Sequence, residues 1–189
     1  MGRFVNHYTM LLLTLALGWG GIGFFAPVQA ADPSIAQSLG TLTDGDYQWC
    51  TQPPPSDWRD GAGVCLRFLK RSNQIRGYYG YPHSDRFICL QGQVSTDPVK
   101  GDRVVGQAMD IAWAGEDWSE IPKQPFTWDE EGHLNLANGK LVSTTPDRAG
   151  GMRWIVFEAA QLEMKGFYAY PKAKMTPVEQ LCSPWMKRD

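Results

Sequence analysis

Gln74-Ile75-Arg76-Gly77-Tyr78-Tyr79-Gly80-Tyr81-Pro82 decides the fold class of this chain. Apolar and polar side chains alternate, aromatic residues dominate and a proline closes the run, the pattern of a half-buried strand. Period-two alternation puts Gly77 on the same face as Ile75 and Tyr79, the inward one. Glycine inside a strand costs stability and marks a sharp bend or a close backbone approach. The same device (apolar, any, glycine, any, apolar) recurs in Leu90-Gln91-Gly92-Gln93-Val94, Val104-Val105-Gly106-Gln107-Ala108 and Met164-Lys165-Gly166-Phe167-Tyr168. Inward glycines in successive strands are what a tightly curved sheet needs.

Outward from this stretch, alternating runs separated by Gly, Pro, Asn and Asp predict strands over 46–50, 63–70, 74–81, 87–94, 103–111, 134–137, 140–143, 152–158 and 163–170. Asn138-Gly139 between two apolar runs predicts a hairpin turn. Residues 159–162 read either as strand or as a helix continuing from Phe157. Short helices are expected at both termini. Asp32 caps and Gly40 ends the first; Thr176-Pro177-Val178-Glu179 opens the second and Ser183-Pro184 stops it. The fold class is therefore all-β, an antiparallel barrel or strongly coiled sandwich of about eight or nine strands.

The opening stretch also recurs as Glu163-Met164-Lys165-Gly166-Phe167-Tyr168-Ala169-Tyr170-Pro171, identical or close in kind at each position. At the same offset Leu66 pairs with Ile155 and Phe68 with Phe157, which predicts a repeated hairpin and two related halves, 46–111 and 127–182. Residues 112–126 form the connection between them.

Residues 1–30 read as a cleaved signal peptide: Arg3 without an acidic partner, an apolar run over 10–25, then Ala26-Pro27-Val28-Gln29-Ala30. Residues 31–189 form a single β domain. The chain carries 18 basic and 20 acidic residues, and no basic patch marks a nucleic-acid or lipid partner. No membrane insertion is expected after cleavage. Cys50, Cys65, Cys89 and Cys182 read as two disulfides of an exported domain rather than a metal site, because no Cys-x-x-Cys pair is present. Four cysteines allow three pairings. Alternation puts Cys50, Cys65 and Cys89 on the outer face. With 74–81 between their strands, Cys65 and Cys89 lie about two strand spacings apart, roughly 9–10 Å, beyond disulfide reach. Cys50–Cys65 with Cys89–Cys182 is expected; Cys50–Cys89 with Cys65–Cys182 is the runner-up.

Tyr79, Tyr81, Tyr168 and Tyr170 fall at strand ends before prolines. They either plug the end of a barrel or form an aromatic mouth for a small or sugar-like ligand. No catalytic constellation emerges. His83-Ser84-Asp85 holds the residue types of a hydrolytic triad, but adjacent residues cannot stack in line. Asp129-Glu130-Glu131 reads as a solvated turn. No cofactor or metal is called for.

The run Cys65-Leu66-Arg67-Phe68, Gly77, Cys89-Leu90-Gln91-Gly92 and Gly106-Gln107-Ala108 resembles uncharacterised exported β-barrel proteins of cyanobacteria. The signal segment implies a periplasmic or extracellular location; the resemblance adds a thylakoid lumen as an alternative and brings no activity with it. Tyr47-Gln48-Trp49-Cys50 and Gly150-Gly151-Met152-Arg153-Trp154 are similar to periplasmic lysozyme inhibitors. The expected function is an exported, non-enzymatic binding or accessory protein with an unknown protein or small-ligand partner. The alternatives are a hydrolase of cell-wall or extracellular sugars, built on two carboxylates, and an inhibitor of a lysozyme-like enzyme.

Overall fold

In the computed structural model, residues 38–112, 121–145 and 152–186 are described. The signal segment, Asp32, Trp113, Trp118 and Gly150-Gly151 lie outside them. Among the described residues, nine strands form one antiparallel sheet: β1 (Gly45–Cys50), β2 (Cys65–Arg71), β3 (Gln74–Gly80), β4 (Phe87–Asp97), β5 (Gly101–Ala112), β6 (Phe126–Thr127), β7 (Leu134–Thr145), β8 (Met152–Glu163) and β9 (Tyr168–Ala169). Their spatial order is β6-β7-β8-β5-β4-β3-β2-β1-β9. The expected all-β antiparallel class is what forms, as one curled half-barrel. Among the described residues no ladder joins edge strands β6 and β9.

Alternation sorts the side chains as the sequence requires. Trp49, Leu66, Phe68, Ile75, Leu90, Val104, Phe157 and Leu162 face inward and share one buried core. At the β2–β3 hairpin end, Lys70 is buried and its Nζ donates to the carbonyls of Leu42 (2.8 Å) and Ser72 (2.5 Å). A 3-10 turn, Leu39–Thr41, drops Leu39 into the same core, and the Leu39 amide donates to the Asp102 carboxylate. The interior is filled by side chains.

Three of the four inward glycines lie where a curved sheet wants them. Gly77 pairs with Phe68 and Leu90, and Gly92 faces Gly106 across β4 and β5. A Cβ on Gly92 would stand 2.5 Å from the Val105 carbonyl oxygen, so these backbones approach closely because the glycines permit it. The fourth, Gly166, sits in a turn with φ +88°.

Both expected disulfides are present. Cys50 faces Cys65 across β1 and β2 with Cα atoms 4.0 Å apart; Cys89 bonds Cys182 at 5.8 Å. Cys182 belongs to α1 (Val178–Met186), which lies on the outer face over Tyr78, Cys89 and Met109. The predicted stop at Pro184 fails, since α1 runs on to Met186.

Three further expectations are corrected. Asn138-Gly139 is not a hairpin turn: β7 is continuous from Leu134 to Thr145. Asn138 takes φ +57°, and the amides of Asn138 and Gly139 donate to the carbonyls of Lys123 and Pro122, so the turn residues seat a neighbouring segment against β7. Residues 159–162, open between strand and helix from sequence, are strand. The second copy of the nine-residue stretch does not repeat the β2–β3 hairpin. It breaks at Gly166, and Tyr168–Ala169 pair with β1 rather than β8. At the N-terminal side, only the 3-10 turn at Leu39–Thr41 is found over the described part of the expected first helix.

Candidate functional site

The four tyrosines do not converge. Tyr79 keeps the predicted inward direction, but Trp128 and Phe167 close over it, with ring centroids 5.8 and 6.4 Å away, and it is fully buried. It is core, not rim. Tyr81 lies half-buried just beyond β3. Tyr168 stands opposite Cys50, on the outer face, and Tyr170 packs against the Cys50–Cys65 cluster on that face. The cause is the turn at Lys165-Gly166. It resets the alternation, so Met164 and Phe167 both point inward and the following tyrosine points out.

The loop 128–133 reaches across to the β3–β4 turn. Arg86 lies over the rings of Tyr81 and Trp128, 5.4 and 5.2 Å from their centroids, and donates to the Trp128 carbonyl at 3.0 Å. Tyr81 donates its hydroxyl to Glu131 Oε2 at 2.5 Å. Asp129, expected in a solvated turn, is buried instead and accepts from the amides of His133 (3.0 Å) and Leu134 (2.7 Å). The acidic run is thus mostly a loop fastener.

Beside this cluster, on the outer face, lies a groove of about 410 Å3 lined by Trp58, Tyr78, Tyr81, His83, Phe87 and Met175 among others. Each wall has a local cause. Pro82 and His83, the latter at φ +63°, turn the chain between β3 and β4. Ser84 Oγ locks that turn, donating to the Tyr81 carbonyl (2.9 Å) and accepting from the Arg86 amide (3.1 Å). Trp58 sits on a 3-10 turn, Trp58–Asp60, whose cap is the Asp57 carboxylate accepting from the Arg59 amide at 3.0 Å. Its indole meets His83 edge-on at 5.3 Å and Tyr170 at 5.9 Å. Tyr170 Oη donates to the carbonyls of Gln52 (3.2 Å) and Pro53 (3.3 Å), which ties the proline-rich loop to the same corner.

The far wall is the strap 171–177. Buried Gln48 accepts through Oε1 from the amides of Lys174 (2.7 Å) and Met175 (2.9 Å), and Tyr78 donates to the Thr176 carbonyl at 2.6 Å. Tyr78 and Phe87 meet edge-on at 5.7 Å between the walls.

Burial pushes the Tyr78 phenol up to about 12, partly offset by the positive charge of Arg67. Tyr81 is pushed to about 12 by burial and then by its bond to Glu131, and Tyr170 to about 12 by burial. Tyr79 is held well above the ordinary phenol range, chiefly by burial and then by the charges of Asp129 and Glu131. These phenols are neutral donors at neutral pH. Among the described residues, Asp85 is the single carboxylate lining the groove and Lys174 its single lysine. Among the described residues no cluster of His, Cys, Asp and Glu is arranged to hold a metal.

Sequence reasoning missed Trp58, Tyr78, Phe87 and Met175. Alternation could have found Tyr78, which shares its outward row with Cys89. Nothing local marks Trp58 inside a proline-rich loop.

Fold and groove together define a disulfide-tied half-barrel with a filled interior and an aromatic cleft on its outside. Comparison with protein families, curated proteins and solved structures finds no match to this chain. Two disulfides suit an oxidising, non-cytoplasmic compartment. Among the described residues no helix is long and apolar enough to cross a membrane.

Proposed function

We propose that this is an exported, non-enzymatic binding or accessory protein, acting in the periplasm or outside the cell, that takes a small ligand or a short segment of a partner in the groove of Trp58, Tyr78, Tyr81 and Phe87. The carrying observation is that the fold is spent on rigidity while the aromatic surface lies outside. The core is filled, and two disulfides and the Gln48 anchor hold the walls. The groove is within the usual size for a small-ligand site, apolar with a few directed polar groups. An affinity with exported cyanobacterial barrel proteins is part of the same proposal.

The test is an NMR titration of the 15N-labelled protein with soluble oligosaccharides and with short proline- or aromatic-containing peptides. Amide shifts confined to 81–87 and 174–176, and lost in Trp58→Ala, support the reading. Turnover of any panel member, abolished in Asp85→Asn, replaces it with the hydrolase. Shifts that persist in Trp58→Ala move the site elsewhere.

A further inference from the structure

A second surface, remote in kind from the aromatic groove, carries its own chemistry. In the sheet register Gln74, Gln93, Val105, Gln161 and Asn135 stand side by side on β3, β4, β5, β8 and β7. Two residues along, Arg76, Gln91 and Gln107 form a parallel row. Because the side chains of alternate residues share a face, both rows point outward and are separated by about 7 Å. The row between them points inward: Ile75 into the core, then Gly92 and Gly106, which offer only backbone.

The result is a trough of two adjoining depressions, about 370 and 350 Å3, that meet at Val105 and Gly106. It crosses five strands, and four strand spacings of about 4.8 Å give it a run of roughly 19 Å.

The composition is unusual for a solvated sheet face. Such faces ordinarily carry interspersed Lys, Arg, Glu and Asp. Here the row from Gln74 to Asn135 holds four amides and one valine, with no ionised side chain. Among the described residues, the side-chain amides of Gln74, Gln91, Gln93 and Gln107 have no hydrogen-bond partner, so they are available to a ligand. An amide offers two donors and an acceptor at once, which suits a hydroxyl group that also donates and accepts. Val105, 43% exposed at the centre of the trough, supplies the apolar contact for a C–H face. Repetition at strand spacing matches a repeating polymer better than a single compact molecule. The lining of the whole trough carries one charge of each sign, Arg76 and Glu158, so it has no net charge to favour a polyanion.

We propose that this trough binds a neutral polysaccharide along the direction that crosses the strands. The inference is independent of the aromatic groove. Contacts are hydrogen-bonded and solvent-exposed, so single-site affinity is modest and becomes measurable on an insoluble polymer.

The test is retention of the purified protein on insoluble cellulose, β-1,3-glucan and chitin. An anionic polysaccharide gel serves as comparison. Expected is retention on at least one neutral polymer, reduced tenfold or more in the double variant Gln91→Ala/Gln107→Ala and unchanged in Val99→Ala, at an exposed turn outside both surfaces. A second pair, Gln74→Ala/Gln93→Ala, repeats the reading on the other row, and circular dichroism of each variant verifies the fold. The proposal is overturned by no retention on any neutral polymer, by retention that both pairs leave intact, or by stronger retention on the anionic gel. It also falls if the amide substitutions change the oligomeric state in place of retention, since the face would then join copies of this chain.

Discussion

Gly92 and Gly106 stand opposite each other across β4 and β5, and their missing side chains are a steric requirement. A Cβ on Gly92 would lie 2.5 Å from the Val105 carbonyl oxygen and 2.8 Å from its carbon. Both are backbone atoms, so relief requires the β4–β5 pair to separate. Gly92→Ala is expected to cost about 2–3 kcal/mol, at the upper end of ordinary overpacking, read as a lower urea midpoint at unchanged slope. Tyr79 presents the opposite case. Its ring is fully buried, and its hydroxyl has no hydrogen-bond partner of good geometry, although the Asp129 carboxylate, which accepts from the amides of His133 and Leu134, lies nearby. Leaving a buried hydroxyl unsatisfied costs about 1–3 kcal/mol. Tyr79→Phe is therefore expected to raise the urea midpoint by an amount equivalent to about 1 kcal/mol. A lower midpoint would mean that the hydroxyl is paired in solution.

At the scale of the element, the strap 171–177 has no ladder of its own beyond β9 and is held by side chains from the sheet it crosses. Gln48 supplies two of those bonds from a buried position. Gln48→Ala leaves the Lys174 and Met175 amides without acceptors and is expected to cost about 2–3 kcal/mol. Hydrogen exchange at those two amides should accelerate ahead of global unfolding, and uniform protection loss would show that the strap is not a separable unit. The same element shows where sequence reasoning stops. Alternation along β1, β2 and β4 placed Cys50, Cys65 and Cys89 on the outer face, because a strand's face depends only on parity, and the strand between Cys65 and Cys89 then ranked the pairings by distance. Parity is reset wherever the chain turns, and a turn is chosen by its tertiary partner as well as its residues. Asn138-Gly139 has the residues of a hairpin, yet its amides bond Pro122 and Lys123, a segment distant in sequence. Gly166 has the residue pattern of an inward strand glycine, yet the chain turns there and Tyr168 and Tyr170 change face. The candidate site suffered most. Two of its expected residues depended on that parity, and Trp58 enters through a loop with no periodicity to read.

For the molecule as a whole, the tyrosines couple the fold to alkaline pH. Tyr78, Tyr81 and Tyr170 are pushed up to about 12, and Tyr79 further still. In the unfolded chain each phenol returns to about 10. The native state therefore holds its phenol protons more tightly than the unfolded state. Below pH 10 both states are protonated and the difference contributes nothing to the slope. Above it the unfolded state releases protons first, so stability falls with rising pH through the window from about 10 to 12, and beyond that for Tyr79. The four do not contribute equally. Tyr81 sits near the surface, where solvent screens the charge of its phenolate. Tyr79 is enclosed by Trp128, Phe167 and the core, with Asp129 and Glu131 opposing a further negative charge. The expected outcome is a urea midpoint that is flat with respect to these groups up to about pH 9.5 and declines above 10. Tyr79→Phe should flatten the decline most, and Tyr81→Phe hardly at all. Equal flattening by the two would locate the cost at the rim, and an unchanged decline in Tyr79→Phe would mean that the interior of the half-barrel admits enough water to solvate a charge.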